Sequence, residues 1–140
     1  MTVAPDDYSL LEHLKLVQGV ISRMGLNSFA LKGWSVTLVA ALMALAVNTH
    51  RRSYALLALF PGAIFWGLDA YYLWQERRFR GVYNEVCAGK RKTYSLAPPR
   101  LTLWKRFRGW LRTLFRPTVL CLHLAIVAVI LAVIISLSRR

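Results

Sequence analysis

Residues 65–83 read FWGLDAYYLWQERRFRGVY and place one carboxylate, Asp69, among aromatic and aliphatic residues before any other charge appears. What such an acid costs depends on whether its surroundings are water or lipid. The composition favours lipid, because the 140-residue chain is 56% hydrophobic, has a positive mean hydropathy and still carries a formal charge of +13. Soluble domains rarely combine these properties. The apolar and basic parts must therefore be separated along the chain.

Three apolar runs provide that separation, at residues 29–48, 54–74 and 118–137. Each is about 20 residues long, which is enough to cross about 30 Å of hydrocarbon. The first run lies too far from the N terminus for a signal peptide and follows Asp6 and Asp7 instead of a basic region, so it should stay in the mature protein. The sequence predicts an all-α membrane protein with three transmembrane helices.

Basic residues concentrate between the second and third runs. Twelve of them lie there against one acid, Glu85, a net charge of +11 (12 − 1). They are Arg77, Arg78, Arg80, Lys90, Arg91, Lys92, Arg100, Lys105, Arg106, Arg108, Arg112 and Arg116. Because translocating such a segment is disfavoured, it predicts the cytoplasmic side of a bacterial inner membrane. The N terminus is then cytoplasmic and the C terminus extracytoplasmic, although Arg51, Arg52, Arg139 and Arg140 oppose this weakly.

Residues 1–27 are predicted to form a cytoplasmic amphipathic helix. Its apolar residues recur at helical spacing and its charged residues lie opposite. The stripe consists of Leu10, Leu14, Val17, Ile21 and Met24. Gly25 is expected to end this helix, with Asn27 or Ser28 capping the next one.

Residues 28–89 are predicted to form a transmembrane hairpin whose second helix continues beyond the membrane. Phe79, Tyr83 and Val86 extend its apolar stripe toward Gly89. A helix of about 35 residues would project roughly 20 Å into the cytoplasm. The exposed stripe needs a partner, either the N-terminal helix of the same chain or that of another copy in a homo-oligomer.

Residues 90–117 are predicted to form a basic loop and an interfacial amphipathic helix, followed by the third span in residues 118–140. Aromatic and basic side chains on opposite faces suit a helix in the headgroup zone of an anionic phospholipid leaflet, where each basic residue adds about 1 kcal/mol. The predicted lipid-interface residues are Trp104, Lys105, Arg106, Phe107, Arg108, Trp110 and Arg112. Nucleic-acid binding by such a helix is the alternative. The adjoining span disfavours it by holding the helix against lipid.

The acid at position 69 has a basic counterpart in the first span. Counted from Arg51 in the turn, Asp69 lies 18 residues along one helix and Lys32 lies 19 residues back along the other, or about 27 and 28 Å. The sequence therefore predicts an intramembrane Lys32–Asp69 charge pair that fixes the hairpin. Two alternatives are a polar path between subunits, and a lysine that reaches the phosphates while Asp69 is protonated or bonded to Tyr71, Tyr72 or Trp34.

Other polar residues give weaker patterns. His123 in the third span is expected to form an interhelical hydrogen bond, with proton gating as the alternative. Cys87, Cys121 and the three scattered histidines show no metal-ligand or CxxC spacing, so neither a disulfide nor a metal or other cofactor is expected. No nucleophile with a neighbouring base, carboxylate pair or glycine-rich phosphate loop is present, which disfavours an enzyme.

Two stretches resemble a group of small, largely uncharacterised bacterial helical membrane proteins. NSFALKGWSVTLVAALMALA at 27–46 carries an Asn-Ser-Phe…Lys-Gly-Trp-Ser block, and FWGLDAYYLWQERRFRGVYNEV at 65–86 carries an Asp-Ala-Tyr-Tyr-Leu…Gln-Glu-Arg block. The cytoplasmic helix, two-span hairpin and helical extension also resemble the SLATT-type effectors of bacterial antiviral systems, which are thought to oligomerise and perturb membranes. The basic helix and third span depart from that plan.

Two functions follow as hypotheses. The first is an oligomeric inner-membrane effector of a defence system that forms a pore or perturbs the membrane, which the SLATT resemblance implies. The second is a membrane scaffold or accessory protein that recruits a cytoplasmic protein without permeabilising the membrane. A pore should show polar residues facing its axis, and the spans offer few: Ser35, Thr37, Asp69 and His123.

Overall fold

The computed structural model describes residues 5–90 and 95–139, which fold into α1 (Pro5–Thr49), α2 (Arg52–Cys87), α3 (Leu103–Leu114) and α4 (Pro117–Ser138). Within this part of the chain α1, α2 and α4 are long and apolar enough to cross a membrane. The predictions of an all-helical chain and of three such helices are therefore confirmed. Arg91, Lys92 and Arg140, with the ends of the predicted segments that contain them, lie outside the described residues.

The predicted break at Gly25 is wrong, because α1 is one helix of 45 residues. A glycine inside a helix costs about 0.5–1 kcal/mol relative to alanine. Packing on α2 offsets this cost, since Ile21 and Ser28 on either side of Gly25 are both buried. Ser28 therefore does not cap a new helix. It lies on the α2-facing side of a continuous one.

The turn between α1 and α2 occurs at His50. This residue adopts a φ of +53°, and its amide bonds the carbonyl of Val47 at 3.4 Å. A left-handed residue just after the last helical turn stops the helix and reverses the chain. Arg51 is extended and precedes α2, which begins at Arg52.

The long second helix is confirmed. α2 has 36 residues, with Pro61 inside it, and ends at Cys87. Gly89 has a φ of +65° and donates its amide to Val86 O at 3.0 Å. This left-handed glycine accounts for the end of the helix, two residues before the predicted end at Gly89.

Two apolar clusters hold α1 against α2. One lies near the turn and also receives α4. The other lies at the end distant from the turn and consists of Val17, Ile21, Val82 and Val86. The N-terminal part of α1 is therefore the partner of the α2 extension within the chain. Polar residues occupy the stretch between the clusters.

α4 returns along α2. Arg52 Nη1, at the start of α2, donates to Ser138 Oγ at 3.2 Å, so the two helices are antiparallel. The start of α4 and the C-terminal end of α3 lie beside the middle of α2, at Trp66 and Gly67, and the rest of α3 follows α2 away from the turn. This is the region in which the predicted site residues meet.

Candidate functional site

The structure brings Lys32 and Asp69 together between α1 and α2. Lys32 Nζ lies 2.5 Å from Asp69 Oδ1; the aspartate side chain is 0% exposed and the lysine side chain 25%. The equal depths counted along two antiparallel helices explain this meeting. Removing one member of a buried ion pair typically costs about 3–5 kcal/mol, because the other charge is then left uncompensated.

Ser28 is the third member of this polar cluster. The sequence predicted the Lys32–Asp69 pair without it. Its hydroxyl donates to Asp69 Oδ1 at 2.5 Å and accepts from Lys32 Nζ at 2.8 Å. The available signal was the spacing, because residues four apart share one helix face. Tyr71, considered as an alternative partner of Asp69, instead accepts from Gln75 Nε2 at 3.1 Å.

Two buried oxygens beside the cluster have no partner among the described residues: Asp69 Oδ2 and Ser35 Oγ. Ser35 lies one turn from Lys32 on the same face of α1. Both residues are completely buried within a single chain. The polar side chains of the α1–α2 contact therefore point into the hairpin rather than away from it.

His123 is also internal, at 2% exposure. Its Nδ1 lies 2.9 Å from the carbonyl of Val119 in its own helix, and Nε2 has no partner among the described residues. Among the described residues of one copy, His123 therefore makes no hydrogen bond to another helix. The contact with α2 is a stacked ring pair with Trp66, whose centroid lies 5.8 Å away, at the edge of a cavity of about 170 Å³.

Tryptophan side chains join α3 to α2. Trp66 Nε1 donates to Leu114 O at 3.1 Å and Trp110 Nε1 donates to Gly67 O at 2.9 Å. The first bond satisfies one of the carbonyls that every helix C terminus leaves free. Amphipathic spacing predicts Trp110 at the lipid interface. It does not predict the bond to α2, because spacing alone does not specify a backbone partner.

Gly109 sets how closely α3 approaches α2. A β-carbon at this position would lie 2.5 Å from Trp74 Nε1, closer than real contacts allow. The indole of Trp74 is buried there, and the guanidinium of Arg78 lies over its ring at 4.9 Å from the centroid. Only glycine fits this approach.

The surface of α3 that does not face α2 is exposed in the described part of the chain. Its exposed apolar residues are Leu103, Trp104, Phe107 and Leu111, and exposed Phe115 directly after the helix extends this set. Its exposed basic residues are Lys105, Arg106, Arg108 and Arg112. At 100° per residue the apolar set covers one continuous third of the helix and Lys105, Arg108 and Arg112 lie beyond it, so the two faces are distinct.

Arginines crowd the α2–α3 joint. Burial lowers the pKa of Arg77, nearby Arg116 lowers it further, and Glu76 opposes the shift. Burial likewise lowers the pKa of Arg78, as does nearby Arg106, while Tyr71 opposes the shift. Arg77 and Arg78 still stay protonated at neutral pH. The shifts record like charges held together and partly removed from water.

An apolar groove of about 400 Å³ opens between α1 and α4. Ala40 and Ala125 form parts of its walls. These small side chains let another helix or a lipid chain approach closely. No protein-family model, curated protein or solved structure matches the chain.

Proposed function

We propose that this chain is a bacterial inner-membrane scaffold that presents a cytoplasmic helical hairpin to a protein partner without permeabilising the membrane. One observation supports it most: Ser35, Asp69 and His123 are all buried inside a single copy. Of the polar residues expected to line a pore, only Thr37 is exposed. Copies packed around an axis would therefore face it with mostly apolar side chains, which block ions.

The part of the hairpin beyond the spans supports recruitment. Gly25 lies opposite Glu76, so in an antiparallel pair Cys87 lies level with Leu14. The first turns of α1 then extend about 13 Å past the end of α2, with Leu10 and Leu11 exposed there. Exposed leucines at a helix end suit docking of an amphipathic partner.

The proposed orientation places the α2 extension, the N terminus and α3 in the cytoplasm, with the α1–α2 turn and the C terminus outside. The charge excess between Arg77 and Arg116 supports it. In this orientation the apolar face of α3 enters the inner leaflet and its basic face meets anionic headgroups. Labelling of a cysteine at position 51 from the cytoplasm would refute the orientation.

A second candidate is an oligomeric membrane-perturbing effector, as the SLATT resemblance implies. The α1–α4 groove favours it, because close-packing residues next to an open apolar groove suit association of copies. This candidate requires a detergent-solubilised mass larger than that of one chain. A monomer under those conditions would remove a self-assembled pore.

Induced expression followed by a membrane-potential dye separates the two candidates. The scaffold predicts an unchanged potential at high, membrane-inserted expression, with an added protonophore as the positive control. Prompt depolarisation would contradict it. Recruitment is tested in the native host with a photo-crosslinking residue at Leu11, which should give a discrete adduct with a soluble protein. Leu56, exposed within the span of α2, is the matched control, and equal adducts at both positions would reject the proposed docking.

A further inference from the structure

Three basic side chains form a row along one face of α3. Lys105, Arg108 and Arg112 are exposed, and none of them forms a hydrogen bond or an ion pair with another described residue. At about 100° and 1.5 Å per residue they share an arc of about 60° and a length of about 10 Å. These three residues are the basic row of α3.

The chain supplies no counterion for the basic row. Like charges three and four residues apart on a helix repel each other, and no Asp or Glu follows Glu85 in the sequence. Of the earlier acids, Asp69 is paired with Lys32 and Glu76 with Arg80. The basic row therefore attracts anions from outside the chain.

An aromatic ladder lies beside the basic row. The ring centroids of Trp104 and Phe107 are 6.3 Å apart, and those of Phe107 and Trp110 are 5.7 Å apart. Trp104 and Phe107 are exposed, whereas Trp110 is bonded to Gly67 O of α2. Cations next to exposed aromatic rings favour a phospholipid over a soluble anion, because the rings can enter the acyl region while the cations meet phosphates.

The fold holds α3 at the depth where the apolar part of α2 ends. Gly109, near the middle of α3, packs against Trp74, and the polar residues 75–78 follow directly in α2. Lipid phosphates begin at such a boundary. The indoles of Trp66 and Trp110 also tie α3 to α2. The basic row is therefore positioned before a lipid binds, which reduces the cost of binding.

We propose that the basic row binds one anionic phospholipid that carries two phosphate groups, of the diphosphatidylglycerol type. Three cations spread over about two helical turns exceed the charge of a single phosphodiester. Once one phosphate is bound, a second phosphate of the same molecule binds at high effective concentration. Arg108 and Arg112 bind phosphate oxygens in a bidentate manner, and Lys105 adds a point charge. The aromatic ladder gives the acyl chains a surface.

The leaflet that supplies this lipid rests on the orientation proposed above, whereas binding in detergent does not. Selective lipid binding together with cysteine labelling that inverts the orientation would leave the lipid site standing and refute the topology. Loss of selective binding with the orientation intact would do the reverse. The two statements therefore fail separately.

Lipid titration of the purified full chain in zwitterionic detergent, followed by native mass spectrometry and thermal unfolding, tests the site. At equal phosphate concentration, wild type should bind diphosphatidylglycerol at least about tenfold more tightly than phosphatidylglycerol. Arg108→Gln with Arg112→Gln should weaken diphosphatidylglycerol binding at least about tenfold. Lys15→Gln with Arg23→Gln removes the same charge from exposed positions of α1 and should change it less than about threefold.

Equal binding of the two anionic lipids by wild type would overturn the two-phosphate ligand, and this comparison does not depend on any variant folding. Equal losses in both double variants would overturn the basic row in favour of diffuse charge. Stabilisation by inorganic pyrophosphate equal to that by diphosphatidylglycerol would overturn the lipid as the source of the phosphates. Selective binding that only the α3 variant loses supports the proposal.

Discussion

Two charged contacts lie along α2 and are built in opposite ways. At Asp69 the chain buries an acid against a lysine and a serine of α1, so the charges are balanced within one copy. About two turns further, the α2–α3 joint gathers like charges: nearby Arg116 lowers the pKa of Arg77, and Glu76 opposes that shift. The comparison indicates that opposite charges close the hairpin, whereas tryptophan hydrogen bonds and the close approach of Gly109 hold the second contact despite its like charges.

The largest expected effect comes from breaking the closed contact. Asp69→Asn leaves Lys32 without a counterion and should cost about 3–5 kcal/mol of stability. Lys32→Met should cost a similar amount, and exchanging the two charges should restore part of the loss. Reversible denaturation in detergent measures this. Wild-type stability in both single variants would refute a structural pair.

The second effect concerns how α3 is held on α2. Gly109→Ala forces a β-carbon against Trp74 and should destabilise the protein by about 1–3 kcal/mol, with faster proteolysis of the loop before α3. Gly81→Ala is the matched control, because nothing lies within 4 Å of its β-carbon. Because Gly81→Ala replaces a glycine inside a helix, it should stabilise the protein by about 0.5–1 kcal/mol. Equal effects would show that α3 is not closely packed.

A smaller effect separates the partnered serine from the unpartnered one. Ser28→Ala removes a donor to Asp69 Oδ1 and should cost about 1–2 kcal/mol. Ser35→Ala removes a buried hydroxyl that has no partner among the described residues, so its cost should be near zero. Thermal unfolding of the two variants side by side gives the difference. A larger loss at Ser35 would contradict the hydrogen-bond assignment.

The smallest effect is expected at Trp66 and Trp110. Phenylalanine at either position keeps most of the ring and removes one hydrogen bond between α2 and α3. Each should cost about 0.5–1.5 kcal/mol. Hydrogen exchange of the amides at the C-terminal end of α3 should rise in Trp66→Phe. Unchanged exchange there would argue that Leu114 O does not depend on the indole.

The parts of the fold that follow from local sequence were predictable. Apolar runs gave the three long helices, and counting residues from the turn gave the meeting of Lys32 with Asp69. The missed features depend on tertiary contacts. Gly25 was predicted to end a helix, but α1 continues through it because its neighbours pack on α2. Ser28 was predicted as a cap, but its hydroxyl bonds Asp69 instead.

The candidate site at the α2–α3 joint was less predictable. Amphipathic spacing identified the faces of α3 but not which aromatic residue contacts α2. A tryptophan ring can face lipid, or its N–H can donate to a backbone carbonyl, and the spacing does not distinguish the two. His123 similarly found an acceptor in its own helix. Arg77 and Arg116 are 39 positions apart in the sequence, and only the docking of α3 explains why Arg116 lowers the pKa of Arg77.

The double-mutant cycle on Lys32 and Asp69 tests the central claim most directly. Lys32→Met, Asp69→Leu and the double variant are unfolded under one set of detergent conditions, and the coupling energy is taken from the four stabilities. The account predicts a coupling of at least about 2 kcal/mol, with the double variant close to wild type. A coupling below about 0.5 kcal/mol would show that the two charges do not hold the hairpin together.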